Sequence, residues 1–146
     1  MNFIGAVLSN KTIVVPTVAW FIAQAIKVIG TIISEKRLDF TRLVGSGGMP
    51  SSHSSLVVSL STVVGKNHGW DSSLFGITVA FALIVMYDAA GIRRAAGKQA
   101  RVLNKLIFSH NHKIHFDEKL KELLGHTPLE VFMGAVLGLF IGLCLG

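Results

Sequence analysis

Four apolar runs, separated by polar and basic stretches, dominate the pattern of this chain. The first, Thr12 to Ile33, is long enough to cross a bilayer and carries only Gln24 and Lys27 as strongly polar interruptions. The second, Ser51 to Val64, is short and rich in serine. Such a run is poorly matched to lipid, so it belongs inside a bundle, where small residues let helices approach closely, or forms a re-entrant helix. Ser72 to Ala90 reads as the clearest span, with Asp88 near its end. The last run, Leu129 to Leu145, holds Gly134, Gly138 and Gly142 at four-residue spacing, one helix face small enough for backbone contact. Between the last two runs, residues 91–125 are polar and basic, and Ala95 to Phe108 has the periodicity of an amphipathic helix that would set Val102, Leu103, Leu106 and Ile107 against the bilayer. The start, Met1 to Asn10, is mildly apolar without a basic region ahead of it, so no cleaved signal peptide is expected.

These runs predict an all-α, polytopic membrane bundle of about four spanning helices, the second short or partly re-entrant, in a single membrane-embedded domain over 1–146. Composition agrees: 146 residues, 51% hydrophobic and 15% charged, are too apolar for an ordinary soluble domain. One cysteine, Cys144, excludes a disulfide framework and a thiolate metal site.

Charge then gives the bundle a polarity. Four crossings put both termini on one side and the loops 34–50 and 91–125 on the other. That second face carries Lys36, Arg37, Arg42, Arg93, Arg94, Lys98, Arg101, Lys105, Lys113, Lys119 and Lys121, against Lys11 and Lys66 opposite. The positive-inside rule makes the basic face cytoplasmic. A surplus of +6 confined to loops between apolar spans suits membrane topology, anionic headgroups or a phosphorylated substrate, and no nucleic-acid module is present.

The same face gathers the residues capable of chemistry. His53 starts the second span, Arg93 and Arg94 follow the third, and His126 precedes the fourth. Lys27 approaches from within the membrane, where an ammonium needs an anionic partner. Gly47-Gly48-Met49-Pro50-Ser51-Ser52-His53 reads as a glycine turn opening a helix. Its amides and dipole favour an anion, although Pro50 with Ser51 or Ser52 also suffices as a plain helix start and cap. Thr127 and Glu130 around Pro128 make a capping box; Glu130, four residues after His126, is also placed to take a hydrogen bond from one ring nitrogen and leave the other free as nucleophile or base. Asp88 either holds an arginine or is the polar end of a span. His110, His112 and His115 look like a solvated loop rather than a metal site.

Taken together, these residues resemble the type 2 phosphatidic acid phosphatases and their vanadium haloperoxidase relatives, and most closely the small divergent bacterial and plastid branch of that superfamily. Met49-Pro50-Ser51-Ser52-His53-Ser54 looks like the family's Pro-Ser-Gly-His motif, and His126-Thr127-Pro128-Leu129-Glu130-Val131 with Gly134 like its His-x-x-x-Asp motif and following glycine. Tyr87-Asp88-Ala89-Ala90-Gly91-Ile92-Arg93-Arg94-Ala95-Ala96-Gly97-Lys98-Gln99-Ala100 is similar to a hallmark of the divergent branch, to which the resemblance runs over nearly the whole chain. It implies His126 as nucleophile oriented by Glu130, and His53 as leaving-group acid and then base. Arg93 or Arg94, Lys27 and the backbone around Gly48, with Ser51 and Ser52 at the helix start, would hold the phosphate, Asp88 would support an arginine, and no metal or other cofactor is called for. The chain departs from the superfamily in three places: no Lys-x6-Arg-Pro motif follows Lys27, 31 residues separate Arg94 from His126 instead of four, and Glu130 replaces an aspartate.

The function these features predict is hydrolysis of a lipid phosphate monoester, of the phosphatidic acid, phosphatidylglycerophosphate or polyprenyl phosphate class, through a phosphohistidine. The rival from another class is a membrane protein that binds or translocates lipid phosphates without turnover. The partners expected are that lipid, the membrane and, through the Gly134, Gly138, Gly142 face, a second copy of the chain.

Overall fold

The computed structural model of the protein describes residues 2–35, 48–109, 120–122 and 124–146. Among these, the chain is helical without strands: α1 Phe3–Ser9, α2 Lys11–Glu35, α3 Ser52–His68, α4 Ser73–Ala90, α5 Ile92–Ser109 and α6 Pro128–Leu145. Local chemistry sets several of the ends. Asn2 Oδ1 accepts the amide of Gly5 at the start of α1, Ser51 Oγ that of Ser54 in α3, and Ser72 Oγ that of Phe75 in α4. A complete capping box, Thr127 with Glu130, opens α6 just ahead of Pro128. Gly69 turns α3 toward α4 at φ 93°, in the left-handed region where glycine alone is unstrained.

Helix α3 is the axis of the molecule, and α2, α4 and α6 pack around it. It runs from Lys27 and Glu130 at one end, through Ser52 and Ser51, to Leu143 at the other, where Lys66 Nζ donates to that carbonyl at 2.9 Å. A re-entrant course is thereby replaced by a full traverse of the bundle. Three helices, α2, α4 and α6, are long and apolar enough to cross a membrane. The 17-residue α3 is not, because its buried positions are Ser52, Ser54, Ser55, Ser59, Ser61 and Thr62 as much as valines. Its place is the interior, with Val15, Ala19, Val63 and Ile141 forming the apolar core.

Hydroxyls survive there because most find carbonyls. Ser61 Oγ donates to Val57 O at 3.0 Å or Thr78 O at 2.9 Å, Thr62 Oγ1 to Val58 O at 2.8 Å, and Ser55 Oγ crosses to Ala19 O of α2 at 3.2 Å. Small side chains in turn let α6 press its glycines onto α3. A methyl group on Gly134 would collide with Ser51, on Gly138 with Ser55, and on Gly142 with Thr62. The glycine face that allows helix pairing is therefore packed against α3 within this chain.

Lipid takes the outside. Phe21, Ile77, Ile84 and Phe140 are among the large apolar side chains left exposed, as befits a bundle whose solvent is hydrocarbon. The predicted helix at Ala95 to Phe108 is present and longer, Ile92–Ser109, while α1 is an element the apolar pattern did not announce.

Candidate active site

At the end of the bundle where α2 finishes, α3 begins, α4 passes into α5 and α6 begins, backbone contacts draw four segments together. The amide of Ser51 donates to Glu130 O at 2.9 Å, tying the start of α3 to that of α6. The amide of His126 donates to Ala89 O at 2.9 Å, tying the residue ahead of α6 to the end of α4. Gly125, at φ 83°, lies so close to the backbone of Arg93 and Arg94 that no side chain fits between them. The 31 residues between Arg94 and His126 thus return to their starting point, and the wide spacing in sequence becomes adjacency in space. Sequence reasoning missed Gly125; its signal was a glycine directly before the histidine.

His126 is 2% exposed, and its Nδ1 lies 2.8 Å from Glu130 Oε2. Burial pushes its proton affinity below the ordinary imidazole value of 6.5, partly opposed by the hydrogen bond to Glu130. The ring is therefore neutral near pH 7, and because a carboxylate only accepts, Nδ1 carries the hydrogen. Nε2 is left with its lone pair and has no hydrogen-bond partner among the described residues. Glu130 does two jobs, as its other hydrogen bond comes from the amide of Thr127 at 3.3 Å in the capping box. The ring of His53, on the first turn of α3 and exposed, has its centroid 6.5 Å from that of His126.

The cations divide unequally. Arg93 Nε donates to Asp88 Oδ2 at 2.6 Å, and its charge acts on both His53 and His126. Arg94 sits next to it with its backbone against Gly125. Lys27 is buried, 5% exposed, with Nζ 3.2 Å from Ser52 Oγ and its aliphatic stem beneath Gly48. Its charge too reaches both histidines. At the helix start, Ser51 Oγ serves the Ser54 amide at 3.4 Å, so this hydroxyl is used as the cap. The amides of Ser52 and His53 have no partner among the described residues. Gly47, the loop cations Lys36, Arg37, Arg42, Lys113 and Lys119, and His110, His112 and His115 lie outside the described residues.

Two comparisons speak to what this arrangement is. A family model described as the divergent PAP2 family matches residues 8–141, nearly the whole chain. The chain belongs to the divergent PAP2 family. It is also 43% identical to an uncharacterized membrane protein of Bacillus subtilis (strain 168), YuiD, across 94% of this chain and 95% of that one. No solved structure matches. Membership places the chain beside a phosphatase-related superfamily, and the relative together with the apolar helices makes it an integral membrane protein.

Proposed function

We propose that this protein hydrolyses lipid phosphate monoesters through a phosphohistidine on His126. The observation that carries the proposal is the state of that ring: neutral, fixed by Glu130 through Nδ1, with an Nε2 that has no hydrogen-bond partner among the described residues, beside the ring of His53. A nucleophile in contact with phosphorus at about 3–3.5 Å, the P–O bond beyond it, and a hydrogen bond of about 2.6–3.2 Å to the leaving oxygen together span roughly 7–8 Å in line. The two rings stand 6.5 Å apart between centroids, a separation of that order.

In the first step Nε2 of His126 bonds to phosphorus and the ester oxygen departs with a proton from His53. In the second, His53 takes a proton from water, the oxygen of that water bonds to phosphorus, and the N–P bond breaks to release phosphate. Phosphoryl transfer leaves little for the protein beyond positioning and neutralising the equatorial oxygens. Arg93, Lys27 and the amides of Ser52 and His53 converge on that place, while Asp88 holds Arg93. By the positive-inside rule this face is cytoplasmic, with Lys11 and Lys66 on the opposite side.

A lipid substrate is favoured by the way the helices stand. Among the described residues, helices α2 and α4 do not touch across α3. One face of α3 is therefore open toward the membrane, with His53 at its top and the half-buried Leu56 and Leu60 beneath. A hydrocarbon tail fits along that face while its phosphate lies at His53.

The binding-only reading draws on one observation, that Nε2 of His126 is covered in this structure, so turnover requires the cover to part. The two are separated by assaying purified protein on vesicles containing phosphatidic acid, phosphatidylglycerophosphate or polyprenyl phosphate, with vanadate as inhibitor. Phosphate release abolished in His126→Ala supports the enzyme; tight binding without release at any pH supports the rival.

A further inference from the structure

Helix α5 stands apart from the bundle. Among the described residues it touches no helix except α4, from which Gly91 separates it. Drawn straight, the 35 residues from Ser73 to Ile107 would measure about 52 Å at ~1.5 Å per residue, against a hydrocarbon core of ~30 Å. The 18 residues of α4 already fill that thickness, so α5 begins where the membrane interface lies.

Its surface has three sectors. Gly97, Ala100 and Asn104 are buried. Gly97 meets the backbone of Glu122 and Leu124, while Asn104 Nδ2 donates to Leu120 O and to Glu122 Oε1, each at 2.8 Å, and its Oδ1 accepts the Leu120 amide at 3.0 Å. This clasp fixes the rotation of α5 against the segment that leads to His126. A second sector holds the exposed apolar residues Ala95, Val102, Leu103 and Leu106, the last three at 57%, 47% and 58%. The third is a stripe of cations at four, three and four residues: Arg94, Lys98, Arg101 and Lys105. Ile92–Ser109 contains no acidic residue, and among the described residues Arg101 alone of the stripe forms an ion pair, to Glu122 at 3.4 Å.

We propose that α5 is an in-plane membrane helix, its Ala95, Val102 and Leu106 strip seated at the acyl boundary and its Arg94, Lys98, Arg101 and Lys105 stripe binding the phosphates of anionic lipid headgroups. A water-exposed position would leave the apolar strip unburied beside a bilayer that takes such surface readily. Charge selects the kind of bilayer: cations at this depth attract acidic lipids and gain nothing from zwitterionic ones. Rotation matters too, because the clasped face leaves the other two sectors no freedom to exchange places. The proposal does not depend on turnover at His126, since phosphatidylglycerol, the lipid used to test it, is a phosphodiester.

The full-length protein, with Cys144→Ser removing the native thiol, is placed in nanodiscs of phosphatidylcholine with or without one part in three of phosphatidylglycerol. A bimane label is attached at Leu106→Cys or at Lys98→Cys. We expect the label at 106 to be quenched by lipids brominated on their chains and shielded from iodide, and the label at 98 to show the reverse. Lipid retained on detergent extraction should be enriched severalfold in phosphatidylglycerol, and Lys98→Gln/Arg101→Gln/Lys105→Gln should lose most of that enrichment. Iodide quenching at 106 without bromolipid quenching, disulfide pairing of two copies through position 106, or equal phosphatidylglycerol retention in the triple variant would overturn the proposal.

Discussion

Glu130→Gln separates what Glu130 does for the helix from what it does for His126. Glutamine at this position still completes a capping box, so α6 should start as before and thermal stability should hold within a degree or two. What disappears is the negative charge 2.8 Å from Nδ1 of a ring that is 2% exposed. A hydrogen bond to a charged group contributes about 1.5–3 kcal/mol. If the transition state, where the imidazole gains positive character, feels that whole loss, kcat/KM falls roughly 10- to 150-fold. The pH profile adds a sign. Burial holds the proton affinity of His126 below 6.5, so the neutral ring persists as pH falls past that value and the acid limb of kcat/KM lies beneath it. Glu130 raises that affinity, so its loss moves the limb further down. The assay is phosphate release from phosphatidic acid in nanodiscs between pH 4.5 and 8, with a thermal melt on the same samples. Unchanged kcat/KM, or a limb displaced upward, refutes the role given to Glu130.

Three further outcomes follow from the geometry. Gly138→Ala puts a methyl onto backbone atoms of Ser55 and should lower the melting temperature by several degrees, an overpacking cost of about 1–3 kcal/mol; Gly76→Ala, with nothing within 4 Å, is the control and should not. Asp88→Asn releases Arg93 from a pair whose side chains are 47% and 31% exposed, so the melt should move by less than about 1 kcal/mol while KM for the lipid phosphate rises several-fold, and an unchanged KM would remove Asp88 from the site. Leu60→Trp fills the open face of α3 below His53 and should raise KM for long-chain lipid phosphates while leaving a short, water-soluble monoester unaffected, as read from parallel steady-state assays.

Much of the fold was legible because a membrane leaves the sequence few choices. Predominantly apolar runs of spanning length must be helices, and the α2, α4 and α6 boundaries fall within a residue or two of the apolar runs. Serine content placed α3 inside, but could not tell a traverse from a re-entrant turn, since that depends on whether Lys66 reaches the far end of α6, a contact made at 2.9 Å. The glycines of α6 were legible as a contact face, but not whose: the partner is set by the serines of α3, 51, 55 and 59, which repeat at the same interval in the same chain. In the site, the pairing of His126 with Glu130 follows from i, i+4 spacing on one helix start. The approach of Arg93 does not. It depends on Gly125 and on the clasp of Asn104, long-range contacts with no local periodicity to reveal them. The pairing of Arg93 with Asp88 is a side-chain direction that the spacing alone does not reveal.

The most direct measurement is chemical. Wild-type protein in nanodiscs is mixed with phosphatidic acid carrying ³²P in its phosphate, quenched in alkali within milliseconds, and digested for peptide mapping. The account predicts a label that survives base, is lost in mild acid, maps to the peptide containing His126, and is absent from His126→Ala. Phosphate released in full with no label on any peptide, or a label on a residue other than His126, would contradict it.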